Sequence, residues 1–337
     1  MQIVYLSARP ELFRETLTHV NHFAPFIDDV VVIVPERMAA EFEGSATVLT
    51  DESLTGRTTS ALGALPHTGR NYLLRTSAAR HPAVADTYIM SDDDSRPLVP
   101  VDLATFTDGS RHRRRWFHTM GTWRRDATEF DESILHTWVL LRQMGFADPI
   151  SYACHMPQII DKALYAAVAD RFAPYADTYP LEEWSTYFTV APTLEPDRFA
   201  EPEPFLTLGW PQYPGEWPHQ IRPPRHVYEN HHPELHADGG LYDGLPTGCD
   251  PDTIDATNLE KMMRWHRLDL QVRQLAFPDD VEQPWTSTSG GRKLAFRGLK
   301  AARSAYRYLG LDERAATAEL EGRIAMLEQQ QRHDGAR

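Results

Sequence analysis

Short apolar runs alternate with amphipathic stretches through the first third of the chain. Ile3-Val4-Tyr5-Leu6 is continuously apolar, and behind it Leu12, Phe13, Leu17 and Val20 recur at helical spacing. A second apolar run, residues 30–34, is closed by Pro35. The pattern predicts strands over 3–6 and 30–34 with a helix over 11–23 between them, which is a βαβ opening. Residues 37–42 suit a short helix, 46–49 a third strand, 69–80 a further helix, and 86–90 a strand that runs up to Ser91 and the triplet Asp92-Asp93-Asp94. Farther on, the pattern predicts a strand over 116–120 and helices over 131–144 and 157–172. Residues 201–224 are dense in proline and aromatics, including Trp210, Tyr213 and Trp217, and are expected to form a loop or lid. A helix over 258–275, a Gly290-Gly291 break and two terminal helical segments, 292–309 and 312–331, complete the chain.

Alternation of this kind implies an α/β fold whose mostly parallel sheet is flanked by helices, with a helical C-terminal extension. Ligands of such sheets bind beyond the carboxyl ends of the strands, where the triplet lies. The expected organisation is a core over 1–204, a Pro/aromatic/His-rich loop or lid region over 205–257, and the extension over 258–337. Ser7-Ala8-Arg9-Pro10 follows the first strand where a dinucleotide-binding protein carries its glycine fingerprint, and no Walker-type loop occurs. An ordinary NAD enzyme or P-loop NTPase is therefore not expected.

Composition narrows the reading further. At 337 residues the chain is long enough to bury a sizeable core. Its net charge of -14 argues against general nucleic-acid binding, because a phosphate backbone would be repelled. Cys154 and Cys249 are too few for a disulfide framework. With neither a signal peptide nor a membrane-spanning run in view, a reducing cytoplasm is the expected location. Lysine occurs only at Lys162, Lys261, Lys293 and Lys300, so arginine carries nearly all the positive charge.

A strand ending in clustered carboxylates offers a hard, oxygen-rich site for Mn²⁺ or Mg²⁺ beside a phosphate, although an acidic turn would use the same residues. The order of features up to the triplet is similar to that of glycosyltransferases with the GT-A fold: a βαβ opening, an arginine-bearing helix, then a strand ending in Asp-x-Asp. The resemblance covers roughly the first half of the chain. It implies that Asp92 and Asp94 hold a divalent cation on the diphosphate of a nucleotide-sugar donor, with Asp93 between them near the donor. It further implies donor contacts from Ser7 and Arg9 after the first strand, and from Arg70 and Arg75 in Gly69-Arg70-Asn71-Tyr72-Leu73-Leu74-Arg75. Downstream, Glu182-Glu183-Trp184-Ser185-Thr186-Tyr187 resembles a Glu-aromatic segment of bacterial surface-polysaccharide glycosyltransferases, in which Glu183 would activate the acceptor hydroxyl and Glu182 is its neighbouring competitor. Both glutamates also suit a plain helix start.

A second resemblance leads elsewhere. Ser91-Asp92-Asp93, Arg96-Pro97-Leu98 and the later His155-Met156-Pro157 look like the Stealth family of sugar-1-phosphate transferases, in which His155 would serve phosphorus chemistry and nucleoside monophosphate would leave. That family's acidic segment after the first strand is replaced here by Ser7-Ala8-Arg9-Pro10. A catalytically inactive sugar-binding or scaffold protein is the third reading.

The partners implied are a nucleotide-sugar donor and a hydroxyl-bearing acceptor, whether glycan, lipid-linked glycan or small molecule. Of His226, His231, His232 and His236, at most one or two could add a metal ligand, since adjacent residues of an extended segment point to opposite sides. Arg111, Arg113, Arg114 and Arg115 form one basic run. The helix over 292–309 carries Lys293, Arg297, Lys300, Arg303 and Arg307 near one face, which could lie on anionic lipid or, with the last helix, support a homodimer.

Overall fold

The computed structural model describes residues 1–123, 128–208 and 226–276. Its centre is a five-stranded sheet in the order Gln158–Asp161, Thr87–Asp92, Gln2–Leu6, Asp29–Val34, Thr47–Thr50. All neighbours pair in parallel except the Gln158–Asp161 edge strand, which runs antiparallel to Thr87–Asp92. The α/β class and the mostly parallel sheet are as expected.

Period-two alternation divides the core between the two faces of this sheet. Val4, Val31, Ile33, Tyr88 and Met90 face one apolar cluster, which the His67–Ala78, Glu129–Gln143, Lys162–Ala176 and Glu183–Leu194 helices cover. Ile3, Tyr5, Val32, Val34 and Ile89 face the other, covered by the Pro10–Phe23 helix and by Trp265 of the Ile254–Ala276 helix. Pro10 opens the first of these helices at a position where its missing N–H costs nothing, and Leu12, Phe13, Thr16, Leu17, Val20 and Phe23 form its buried stripe.

Several elements differ from the sequence pattern. The strand before the aspartates runs through Asp92, so the first aspartate belongs to the sheet. The strand expected over 116–120 is instead a longer one at Arg111–Trp116 and a two-residue piece at His118–Thr119. Its four arginines find partners at once: Arg111 meets Asp108, Arg113 and Arg115 share Glu203, and Arg114 donates to the carbonyl of Ala200 at 2.9 Å. The helix expected over 157–172 begins only at Lys162, because residues 158–161 extend the sheet and Asp161 caps the helix by accepting from the Leu164 amide at 3.0 Å. Part of the expected 201–224 loop is the Phe199–Pro204 strand, in which Pro202 borders the shift of register in its pairing with Arg111–Trp116.

A second, three-stranded sheet joins Thr207–Leu208, Tyr228–Asn230 and Ser95–Pro97, so the chain just beyond the aspartates pairs with residues more than a hundred positions later. Trp210, Tyr213, Trp217, the Gly290-Gly291 break and both terminal helical segments, with their basic face, lie outside the described residues. Among the described residues no helix is long and apolar enough to cross a membrane, and Cys154 and Cys249 are free thiols.

Candidate active site

The Gln2–Leu6 strand has Asp29–Val34 on one side and Thr87–Asp92 on the other, so the chain leaves its carboxyl end where the strand order reverses. A crevice opens at such a point. Register then places the chemistry: Leu6 lies opposite Asp92, which brings Ser7 and Asp93 side by side in the next residues. The Ser7 hydroxyl donates to Asp93 Oδ2 at 2.7 Å, and Thr16 donates to the Asp93 carbonyl. Arg9 crosses the same gap, donating through Nε to Asp93 at 3.1 Å and through Nη2 to Asp94 at 2.8 Å. Asp93 is thus buried and turned inward, its carboxyl raised by burial against the lowering effect of Arg9. Its flanking aspartates turn toward the cleft.

Arg75, expected to meet a diphosphate, is fully buried. Its guanidinium donates to Asp92 and to the Ser91 carbonyl, lies 3.1 Å from Glu183 Oε1, and stacks over Trp184 with 5.2 Å to the ring centroid. The side chain therefore braces one strand-end carboxylate against the helix that carries Glu183.

The two adjacent glutamates separate cleanly. Glu182 is the N-cap of the Glu183–Leu194 helix and accepts from the amides of Trp184 at 3.0 Å and Ser185 at 2.6 Å. Glu183, in the first turn, is buried, lines the cleft and has Arg75 as its ionic partner. Burial pushes its carboxyl up to about 8, opposed by Arg75 and assisted by Glu182. Glu182→Ala is expected to cost about 1–2 kcal/mol in denaturant unfolding through loss of the cap. An unchanged midpoint would refute the cap assignment.

The third group beside the aspartates is His155. One ligand atom each from Asp92, Asp94 and His155 lie within 4.8 Å of one another, and this is the metal-competent group among the described residues. The antiparallel pairing explains the encounter: Gln158 is opposite Met90, so continuing that register backward carries the chain past Asp92 to His155. His155 adopts a left-handed backbone, φ 49°, rare for a residue other than glycine and common at functional sites. Ser95 Oγ holds its carbonyl at 2.9 Å. The four later histidines lie elsewhere. His231 is hydrogen-bonded to Arg96, His232 pairs with Glu234, His236 is near the Leu245 carbonyl, and the His226 ring meets Trp265.

Asp94 Oδ1 is a buried acceptor with no hydrogen-bond partner, and the Asp94 carboxylate stands beside a second carboxylate and an imidazole. Two carboxylates and one imidazole could together hold a divalent cation. The cleft of about 730 Å³ over these residues is of ligand size. Ser7, Arg9, Arg70, Arg75, Asp92, Asp93, Asp94, His155 and Glu183 all line it, so the residues singled out in the sequence meet at one place. Arg70 stands at the rim, its guanidinium 3.1 Å from His67 Nδ1. Sequence reasoning gave His155 a part in phosphorus chemistry and not a place among the metal-competent side chains, and it missed the bracing role of Arg75; both depend on pairing between segments far apart in the chain.

No protein-family model matches the chain, and no curated protein matches it in sequence. Among solved structures it is similar to apo mouse xyloside xylosyltransferase 1, at 11% identity over 68% of this chain and 96% of that one, TM-score 0.39. It is also similar to the galactosyltransferase LgtC in complex with donor and acceptor sugar analogues, at 12% identity over 77% of this chain and 96% of that one, TM-score 0.38. A third is glucosyl-3-phosphoglycerate synthase from Mycobacterium tuberculosis in complex with Mn²⁺, UDP and glucosyl-3-phosphoglycerate, at 13% identity over 78% of this chain and 79% of that one, TM-score 0.35.

Proposed function

We propose that this chain is a GT-A-like glycosyltransferase that moves a sugar from a nucleotide-sugar donor to a hydroxyl acceptor with the help of a divalent cation. The observation that supports this reading most is the convergence of Asp92, Asp94 and His155 at the carboxyl end of a parallel strand, in the cleft that Glu183 also lines. The two aspartates and His155 would hold the cation. When bound, it neutralises the charge that grows on the departing nucleoside diphosphate.

The protein's own groups supply the rest. Arg9, half exposed and fixed by Asp93 and Asp94, presents positive charge at the end of the first strand, where Ser7 and the rim residue Arg70 also meet a donor. Glu183 takes the proton of the acceptor hydroxyl as that oxygen bonds to the anomeric carbon and the bond to the diphosphate oxygen breaks. Its raised carboxyl makes it a stronger base than an ordinary glutamate once ionised, and Arg75 keeps it oriented. Trp184 shields this pair from water on one side.

The position of His155 beside both outer aspartates favours a ligand over the phosphorus-directed acid or base that a sugar-1-phosphate transferase would need. Incubation with Mn²⁺ and a panel of nucleotide sugars, followed by identification of the released nucleotide, tests the choice. A nucleoside diphosphate is expected. Release of a monophosphate would sink glycosyl transfer, and absence of any turnover across donors and acceptors would favour a binding protein.

A further inference from the structure

A fully buried group of ionisable side chains lies outside the cleft. Arg96, Glu229 and Lys261 are fully buried and His231 nearly so. Arg96 Nε donates to Glu229 Oε1, which also accepts from Lys261 Nζ at 3.0 Å. Arg96 Nη2 and Lys261 Nζ both reach the Thr247 carbonyl, the latter at 2.9 Å, and Arg96 Nη2 lies 2.8 Å from His231 Nδ1. Glu15 approaches from the first helix, 3.6 Å from Arg96 and 3.5 Å from His231.

A buried ionic group of this kind is an inefficient way to gain stability, because desolvation offsets much of the attraction; its directional bonds are better suited to fixing a register. The register it fixes here leads to the cleft. Arg96 and Glu229 are directly opposed in the pairing of Ser95–Pro97 with Tyr228–Asn230, and Ser95 opposes Asn230. The next residue, His231, donates its amide to the Asp94 carbonyl at 2.7 Å. A slip of one residue would turn Arg96 and Glu229 to opposite faces and remove that bond. The same small sheet holds the other ligand loop: Ser95 Oγ donates to the His155 carbonyl at 2.9 Å, and Thr207 Oγ1 to the Cys154 carbonyl at 3.0 Å. Asp94 and His155, which lie apart in sequence, are thus tied by their backbones to one three-stranded brace, and the strained backbone of His155 needs such restraint.

We infer that Arg96, Glu229 and Lys261 are positioning residues for the cation site: they set the register of the sheet from which the loops of Asp94 and His155 hang, and Ser95, placed by that register, passes it on through its bond to the His155 carbonyl. This rests on the cation reading of Asp92, Asp94 and His155. Outer-shell partners of metal ligands typically change metal affinity about 10- to 100-fold when altered. The test is Mn²⁺ binding to the full chain, followed by electron paramagnetic resonance, for wild type, Glu229→Gln and Ser95→Ala, with thermal unfolding measured alongside. Glu229→Gln leaves a buried cation uncompensated, whereas Ser95→Ala removes a single hydroxyl and keeps the falsifying test available should the former fail to fold. Weakening of Mn²⁺ binding by about tenfold in a folded variant, with an altered spectrum of the bound ion, is expected. Wild-type affinity and spectrum in folded Ser95→Ala would overturn the inference alone. No Mn²⁺ binding by the wild-type chain would overturn the cation reading and this inference together.

Discussion

Replacing Asp94 by alanine is expected to weaken Mn²⁺ binding by more than about a hundredfold, beyond the usual effect of an outer-shell change, and to remove metal-dependent donor binding with it. Asp94 supplies one of the three ligand atoms grouped with Asp92 and His155, so its loss takes away a ligand and leaves Arg9 with one carboxylate partner in place of two. Asp93→Asn makes the matched comparison. That side chain is turned inward onto Ser7 and Arg9, so the substitution is expected to lower stability by about 1–3 kcal/mol, as for a hydrogen-bonded buried charge, while Mn²⁺ still binds. Titration calorimetry with Mn²⁺, with and without a nucleotide sugar, reads both results. Wild-type affinity in the Asp94 variant would remove that residue from the site.

The second large effect belongs to Glu183. Its replacement by glutamine keeps the volume and removes the base, so kcat is expected to fall about 100- to 10,000-fold with donor affinity little changed. Because a base acts only when ionised, and burial raises this carboxyl to about 8, wild-type turnover should climb as pH rises toward 8 and level off above it. The glutamine variant should lose that rising limb. A variant that kept both rate and pH profile would show that the acceptor proton goes elsewhere. Glu182, one residue away, should behave differently, since both of its oxygens are committed to the amides that begin the helix.

Much of this site was legible because strand ends are legible. A run of buried apolar residues that stops at three carboxylates marks the carboxyl edge of a sheet, and the βαβ order says that such edges converge. Helical periodicity failed where a short apolar run served a strand: residues 158–161 fit either state, and only their pairing beside Thr87–Asp92 decides it. The same pairing delivers His155 to the aspartates. Nothing local to His155-Met156-Pro157 announces a partner more than sixty residues earlier. The basic run at Arg111, Arg113, Arg114 and Arg115 also changed meaning once folded, because Asp108, Glu203 and a carbonyl absorb it within and beside the sheet.

By itself, then, the order of residues determined the α/β class, the mostly parallel sheet and the cluster of carboxylates at its edge, all of which follow from local periodicity and from where apolar runs end. Tertiary structure alone decided which glutamate caps a helix and which faces the cleft, that Arg75 braces two carboxylates, and that His155 completes the aspartate pair. Those outcomes depend on register between distant segments, and register is set by the packing of the whole sheet, a quantity no short stretch of sequence contains.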